Sequence, residues 1–203
     1  MFVKIPKLIQ FFFPSIIWKK ENSQKNIWLT FDDGPSPKAT SFILKILKEE
    51  QIKATFFLVG QNIKKYPKLL YKIIDEGHTV ANHSYSHING WNSSNATYFN
   101  DIEKCQKFIP GNKLFRPPYG KVSPLQIRYL KKKYKIILWD VLSWDFSSKN
   151  TPKKIKHSVL KNTVEGSIIV FHNNEKSFKN VSAVLQEVIQ ELKQKGFSFS
   201  NSW

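Results

Sequence analysis

Two carboxylates and two histidines in this sequence have the types and spacing of a metal-binding group. Asp32 and Asp33 stand side by side in the stretch TFDDGP. His83 and His87 lie four residues apart in NHSYSH, a spacing that predicts one helical turn with both imidazoles on the same side. Two imidazoles and a carboxylate bind zinc and leave a coordination position open for water. Alone, the histidine pair is also typical of surface or hydrogen-bonding residues; beside a strand-end Asp it predicts a His-His-Asp catalytic site.

The segments that must position these residues alternate between apolar strands and amphipathic helices. We predict strands at residues 26–31, 54–60, 78–81, 136–141 and 167–171, and around Leu114 and Phe115. Helices fill the gaps, and two of them start where a cap residue precedes a proline, at Ser36-Pro37 and at Thr151-Pro152. This alternation predicts a parallel sheet buried on both faces, as a barrel or a doubly wound sheet. In both architectures the active site lies beyond the C-terminal ends of the strands.

Residues able to do chemistry recur at that one end of the predicted sheet. In chain order they are Asp32 and Asp33, His83 and His87, Arg116 and Tyr119, Asp145, and His172. The helix-to-strand loops carry Lys, Gln, Asn and Gly and few potential catalytic groups. We therefore expect a single site. The two remaining histidines are weaker candidates for the metal site. His78 is the first residue of a predicted strand and is expected in the core or behind the site. His157 is expected to be exposed on a lysine-bearing helix.

Five motifs of the chain resemble those of a known enzyme family. TFDDGP, NHSYSH, FRPPYG, SWDF and IIVFH occur in the order, and at about the spacings, of the motifs of the polysaccharide deacetylase family, also called the NodB-homology domain or carbohydrate esterase family 4. The resemblance covers residues 27–199. It implies a distorted, seven-stranded (β/α) barrel of parallel strands, related to the TIM barrel. It also implies metal-dependent removal of acetyl groups from N-acetylated amino sugars, or less often from O-acetylated polysaccharides.

The resemblance implies a role for each residue around the metal. One divalent metal, zinc in first place with Co²⁺, Mn²⁺ or Ni²⁺ as alternatives, would be bound by Asp33, His83 and His87. Asp32 would stay off the metal and act as the base when the metal-bound water attacks the acetyl carbonyl. Arg116 would pair with Asp32 and orient it, because the rigid guanidinium fork fixes a carboxylate in two directions.

Further roles follow from the later motifs. The backbone N–H of Tyr119 would stabilise the oxyanion, and His172, supported by Asp145, would protonate the leaving amine. The residues expected to contact the substrate are Tyr119, Trp144, Phe146 and Val170. Two positions depart from the family pattern, since Leu142 and Phe146 stand where an Asp and a Trp are common. Asn173 and Asn174 likewise replace an acidic residue often seen after the last histidine, and we expect activity to be retained because neither must carry a proton.

Composition limits the other function classes. The chain has 203 residues, enough for one domain, and its single cysteine, Cys105, excludes an intramolecular disulfide. The net charge of +17 would attract polyanions, but the lysines are spread in short groups without a readable nucleic-acid module. We therefore expect no specific nucleic-acid partner, peripheral contact with an anionic membrane or cell-wall polymer at most, and a monomer.

Residues 1–25 form an apolar and aromatic segment that we expect to pack on the catalytic domain of residues 26–203 or to lie at a membrane surface. Pro14 interrupts the apolar stretch, which is too short to span a bilayer, and no small-residue cleavage site follows. The segment thus favours a cytoplasmic or membrane-peripheral location over export, although a glycan substrate would suggest the cell envelope.

The sequence as a whole predicts a hydrolase that deacetylates N-acetylglucosamine-type glycans, such as peptidoglycan, a chitin-like oligosaccharide or a related polymer. Two alternatives stay open. An O-acetyl esterase acting on an acetylated polysaccharide such as xylan would use the same residues. A non-catalytic module that binds glycans or membranes would require a broken site.

Overall fold

The structure, a computed structural model, describes residues 7–21, 24–109 and 111–203. Its strands are Ile16–Ile17 (β1), Asn26–Asp32 (β2), Thr55–Leu58 (β3), Thr79–Asn82 (β4), Leu114–Phe115 (β5), Lys135–Ile137 (β6), Val141–Leu142 (β7), Ile168–His172 (β8) and Ser198–Phe199 (β9). Its α-helices are Lys7–Phe12 (α1), Pro37–Glu49 (α2), Gly60–Lys65 (α3), Pro67–Asp75 (α4), Asn95–Gln106 (α5), Pro124–Leu130 (α6), Pro152–Asn162 (α7) and Glu175–Gln194 (α8). Short 3₁₀ turns lie at Gly90–Asn92 and Pro118–Gly120.

Within the described residues the strands form one curled half-barrel. The order across it is β1-β6-β5-β4-β3-β2-β8-β7, β9 pairs with β2, and the paired strands run parallel. The predicted parallel, distorted (β/α) barrel is confirmed. Strands β2 to β8 account for the seven expected strands, and the two-residue strands β1 and β9 extend the sheet.

The single strand predicted over residues 136–141 is wrong. The chain changes partners there: Leu138 N–H donates to Ile17 O at one end of the sheet, and Asp140 N–H donates to Ile168 O at the other. Because a continuous strand keeps the same neighbours, this crossing divides the segment into β6 and β7. The crossing brings the two ends of the half-barrel together.

The centre of the sheet is packed with aromatic side chains that contact one another across neighbouring strands. Phe31 stacks on Phe56 with ring centroids 5.1 Å apart and contacts Phe171 at 6.4 Å. All three side chains are fully buried. Aromatic pairs of this kind stabilise by about 0.5–1.5 kcal/mol beyond their buried area. The strands that carry the candidate residues at their ends therefore rise from a fixed core.

The N-terminal segment contributes to the sheet where it is described. Ile16 and Trp18 are buried, and β1 pairs with β6. Residues 1–6 and 22–23 of the predicted 1–25 segment lie outside the described residues, and the boundary at residue 25 stays a prediction. Among the described residues, none of the helices combines the length and the apolar character needed to cross a bilayer.

Gly60, the first residue of α3, allows this helix to approach the loop after β4. A Cβ at position 60 would lie 2.5 Å from Tyr85 Cδ2, 3.1 Å from Tyr85 Cα and 3.3 Å from Cys105 Cα. Two of these neighbours are backbone atoms, so relief requires movement of the chain. We expect Gly60→Ala to lower the free energy of unfolding by about 1–3 kcal/mol in urea denaturation. Gln61→Ala, an exposed change on the same helix, should stay within about 0.5 kcal/mol; equal stability of the two variants would contradict the close approach.

Candidate active site

The polar residues predicted at the strand ends meet at a single cavity of about 720 Å³. It is lined by Asp32, Asp33, His83, His87, Tyr119, Trp139, Leu142, Trp144, Phe146, Val170, His172, Asn174 and Lys176. Two other predicted residues, Arg116 and Asp145, are fully buried beside it. The parallel sheet explains this meeting, because every strand in it ends at the same edge.

Asp33, His83 and His87 form a group that could hold a metal ion. Asp33 Oδ1 lies 3.4 Å from His83 Nε2 and 3.0 Å from His87 Nε2, and the possible ligand atoms of the three residues all lie within 4.8 Å of one another. Ligands at about 2.0–2.1 Å from a tetrahedral zinc ion stand about 3.3 Å from one another. The spacing and the donor types therefore fit a divalent metal.

The helical turn predicted for the two histidines is wrong. Residues 83–89 form neither helix nor strand, and Ser84 and His87 have positive φ angles of 63° and 57°. The irregular loop still brings the imidazoles together, with ring centroids 5.1 Å apart. The spacing of four residues thus indicated the right pair for the wrong structural reason.

Contacts behind the two histidines orient their rings. His83 Nδ1 lies 2.8 Å from the carbonyl oxygen of Arg116, which can only accept, so Nδ1 carries a proton and Nε2 is the nitrogen that faces Asp33. His87 Nδ1 lies 3.1 Å from the hydroxyl of Tyr119. Partners on the far nitrogen fix the tautomer that a metal-binding histidine needs.

Asp33 is held ionised by the histidines. Its burial favours the neutral acid, but hydrogen bonds from His83 and His87 outweigh this effect and bring the pKa of Asp33 well below its usual value. The residue follows the end of β2 with a φ angle of 74°, in the left-handed region. This bend turns its side chain away from that of Asp32, so neighbouring carboxylates can serve different partners.

Asp32 forms a buried ion pair with Arg116. Arg116 Nη1 donates to Asp32 Oδ1 at 2.6 Å and to Thr30 Oγ1 at 2.8 Å. The rest of the guanidinium donates to the carbonyls of Ile137 and Leu138 at 3.3 and 3.1 Å. The cation is therefore fixed on several sides. The pairing is the one that the family resemblance implies, and it holds the Asp32 carboxylate beside the cavity.

His172 and Asp145 form the second charged pair. His172 Nδ1 lies 2.7 Å from Asp145 Oδ1, and the backbone N–H of His172 donates to Asp145 Oδ2 at 2.7 Å. Ser143 Oγ donates to Asp145 Oδ1 at 2.9 Å. Burial disfavours the imidazolium, but the charge and hydrogen bond of Asp145, with smaller contributions from the charges of Asp33 and Asp32, outweigh it and raise the pKa of His172 to about 9. His172 is thus protonated at neutral pH, with Nδ1 occupied and Nε2 available to the cavity.

Aromatic side chains form the walls of the cavity. Trp144 and Phe146 have ring centroids 5.1 Å apart, and Phe146 meets His172 edge-on at 4.8 Å. Tyr119 is exposed, and its ring packs on His87 at 4.5 Å. Val170 lies on the floor and is fully buried. The arrangement offers flat faces beside the polar groups, and sugar rings can pack on such faces.

Comparison with known proteins identifies the family. Residues 19–136 match the family profile described as polysaccharide deacetylase. A peptidoglycan-N-acetylglucosamine deacetylase from Bacillus cereus is 32% identical over 194 residues, which are 91% of this chain and 89% of the relative. This chain belongs to the polysaccharide deacetylase family.

Solved structures agree with this deacetylase over most of its length. The crystal structure of the Bc1960 peptidoglycan N-acetylglucosamine deacetylase superposes with a TM-score of 0.86 at 32% identity, covering 92% of this chain and 90% of that one. The Xyl-CE4 domain of a multidomain xylanase from the hindgut metagenome of Trinervitermes trinervoides gives a TM-score of 0.80 at 32% identity, covering 88% and 87%.

Several contacts of the deacetylase escaped the sequence analysis. Asn174 Nδ2 donates to Asp33 Oδ2 at 2.6 Å, and Asn62 Nδ2 donates to Asp33 O at 2.7 Å. Asn180 Nδ2 donates to the carbonyl of Asp145 at 2.7 Å. Asparagines within helices or at their caps give no pattern that distinguishes them from turn formers.

Of the remaining histidines, His78 is buried, with its pKa lowered to about 4 by that burial, and His157 is exposed.

The titration of His172 in the metal-free deacetylase gives a test of the Asp145 contact. With its pKa raised from 6.5 to about 9, His172 contributes stability that is fully present below about pH 6.5 and lost as the pH rises through about 9. The full effect is roughly 3 kcal/mol. In Asp145→Asn we expect the His172 pKa, followed by NMR, to fall, and this alkaline loss of stability to shrink. An unchanged His172 pKa in that variant would contradict the proposed electrostatic cause.

Proposed function

We propose that this deacetylase hydrolyses the N-acetyl group of N-acetylglucosamine-type glycans, with Asp32 as the base and His172 as the acid. One observation carries the proposal. Asp32 and His172 are direct partners in the register of β2 and β8, so the two groups stand on adjacent strands, about 4.8 Å apart in the backbone, beside the group that could bind metal. An acid and a base that flank one point are what the hydrolysis of an amide requires.

Asp33, His83 and His87 would hold the divalent metal in this proposal. Zinc is our first choice because two imidazoles and a carboxylate are a donor set that catalytic zinc accepts, with Co²⁺, Mn²⁺ and Ni²⁺ as alternatives. When bound, the metal would lower the pKa of water and polarise the acetyl carbonyl. The low pKa of Asp33 keeps this ligand ionised before the metal binds.

The proton transfers fall to the two charged pairs. Asp32, fixed by Arg116, accepts a proton from the water that attacks the acetyl carbon. His172, charged at neutral pH, donates its Nε2 proton to the sugar nitrogen as the C–N bond breaks. The products are acetate and a free amine. Asp145 keeps His172 protonated and its ring in place until this step.

The acetyl group itself needs an oxyanion site and an apolar pocket. Pro117 and Pro118 lead into the 3₁₀ turn, and Tyr119 there has a φ angle of 60°. The two hydrogen bonds of the turn come from Gly120 and Lys121, so neither uses the Tyr119 N–H that we assign to the oxyanion. Leu142 and Val170 offer the methyl group an apolar lining.

The state of His172 favours an amide over an ester substrate. An amine leaves an amide only when its nitrogen is protonated, whereas an ester oxygen is a better leaving group and needs the acid less. The charge and hydrogen bond of Asp145 raise the pKa of His172 and so favour the protonated form that this step needs. The similar Xyl-CE4 domain, from a xylanase, keeps the O-acetyl esterase on acetylated xylan as a second candidate.

The assay for this proposal measures acetate and free amines released from N-acetylglucosamine oligomers and from peptidoglycan, with acetylated xylan in parallel. We expect the amino-sugar substrates to be hydrolysed faster by the zinc-loaded protein. Faster release of acetate from xylan would instead support the O-acetyl esterase. No release from any substrate at full zinc loading would favour a non-catalytic module.

A further inference from the structure

Asn174 joins the start of helix α8 to the carboxylate of Asp33. Its Oδ1 caps the helix by accepting from Ser177 N–H at 2.8 Å. Its Nδ2 donates to Asp33 Oδ2 at 2.6 Å. An amide has one accepting end and one donating end, so the capping bond determines which end faces Asp33. The orientation of the amide is therefore fixed by the helix.

Because of this contact, the two oxygens of Asp33 have different partners. Oδ1 faces His83 and His87 at 3.4 and 3.0 Å, whereas Oδ2 is taken by Asn174. Asn62 Nδ2 also donates to the Asp33 carbonyl at 2.7 Å, so the backbone is held in its left-handed conformation as well. The hydrogen bond at Oδ2 resists rotation of the carboxylate and favours Oδ1 as the oxygen that is presented to the two histidines.

We propose that Asn174 is a positioning residue for the metal site, one that fixes Asp33 as a ligand through Oδ1 alone and so strengthens metal binding. The inference rests on the proposed function, because it assumes that Asp33, His83 and His87 hold the metal. Partners that orient a ligand in this way are worth about 10–100-fold in metal affinity.

A purely structural role for Asn174 would be that of a helix cap, and two variants separate the roles. Asn174→Ser keeps a good capping oxygen for Ser177 but removes the donor to Asp33. Thr151→Ala is the matched control, because Thr151 caps α7 by accepting from Lys154 N–H at 3.3 Å, away from the cavity. The first change tests the contact with Asp33, and the second measures the loss of a cap alone.

The experiment measures zinc affinity by competition with a chelator, the visible absorption spectrum of the Co²⁺-loaded protein, and the unfolding temperature without metal. We expect Asn174→Ser to bind zinc about 10–100-fold more weakly, with an altered Co²⁺ spectrum and an unfolding temperature near that of wild type. Thr151→Ala should lower the unfolding temperature and leave both metal readouts unchanged.

Two results would contradict the inference in distinguishable ways. In the first, Asn174→Ser binds zinc within twofold of wild type and its Co²⁺ spectrum is unchanged. Asn174 would then act only as a helix cap, and the proposed function would stand. A wild-type protein that takes up neither zinc nor Co²⁺ would contradict the metal site itself, and the inference with it.

Discussion

Asp33→Ala is expected to abolish metal binding and to lower deacetylation by about 10³-fold or more. Asp33 Oδ1 is the oxygen that both His83 Nε2 and His87 Nε2 approach, so its loss leaves two imidazoles without the anionic ligand. The estimate follows because a metal contributes several kcal/mol of transition-state stabilisation, and each 1.36 kcal/mol is a factor of ten. Metal content by mass spectrometry and acetate release are the two measurements.

The control for this change is Asp75→Ala, which removes an exposed carboxylate at the end of α4. It should retain full metal content and activity. His83→Ala and His87→Ala should behave like Asp33→Ala. An Asp33→Ala protein that retains a full equivalent of zinc would show that the metal lies elsewhere.

Asp32→Asn is expected to keep the metal and to lose about 10²–10⁴-fold in turnover, because an amide cannot accept the proton of the attacking water. The same change leaves the buried Arg116 guanidinium without its charged partner, and we expect a loss of about 3 kcal/mol in the free energy of unfolding. Kinetics at full zinc loading, with zinc content measured on the same sample, separate the two effects.

Asp140→Asn is the matched control for Asp32→Asn, since Asp140 is also a buried carboxylate but does not line the cavity. It should cost stability and leave the turnover of the folded protein near that of wild type. Full turnover by zinc-loaded Asp32→Asn would require another base, and the role given to the Asp32–Arg116 pair would then be wrong.

The gathering of the site at one edge of the sheet was predictable from the sequence, because it needs only the order of the elements. Once the strands are parallel, residues that follow different strands must meet, whatever their separation in the chain. Asp32 and His172 illustrate this, since they lie far apart in sequence and pair directly in the β2–β8 register. The longer strands, such as β2, β3 and β8, were visible as apolar runs.

Contacts without a local pattern could not be predicted. Asn174 and Asp33 are 141 positions apart, and nothing around Asn174 distinguishes a metal-site partner from an ordinary helix cap. Strands β1 and β9 have two residues each, too few to show a period. The turn assigned to His83 and His87 failed because positive φ angles in a loop can produce the same juxtaposition as a helix. The cellular location and the monomeric state stay predictions.

The most direct test of the account is acetate release from N-acetylglucosamine oligomers by the wild-type protein, first stripped of metal with a chelator and then titrated with zinc. We expect no release by the stripped protein, and recovery that reaches its plateau at one equivalent of zinc per chain, with one free amine formed for each acetate. Deacetylation at an undiminished rate by the stripped protein would contradict it.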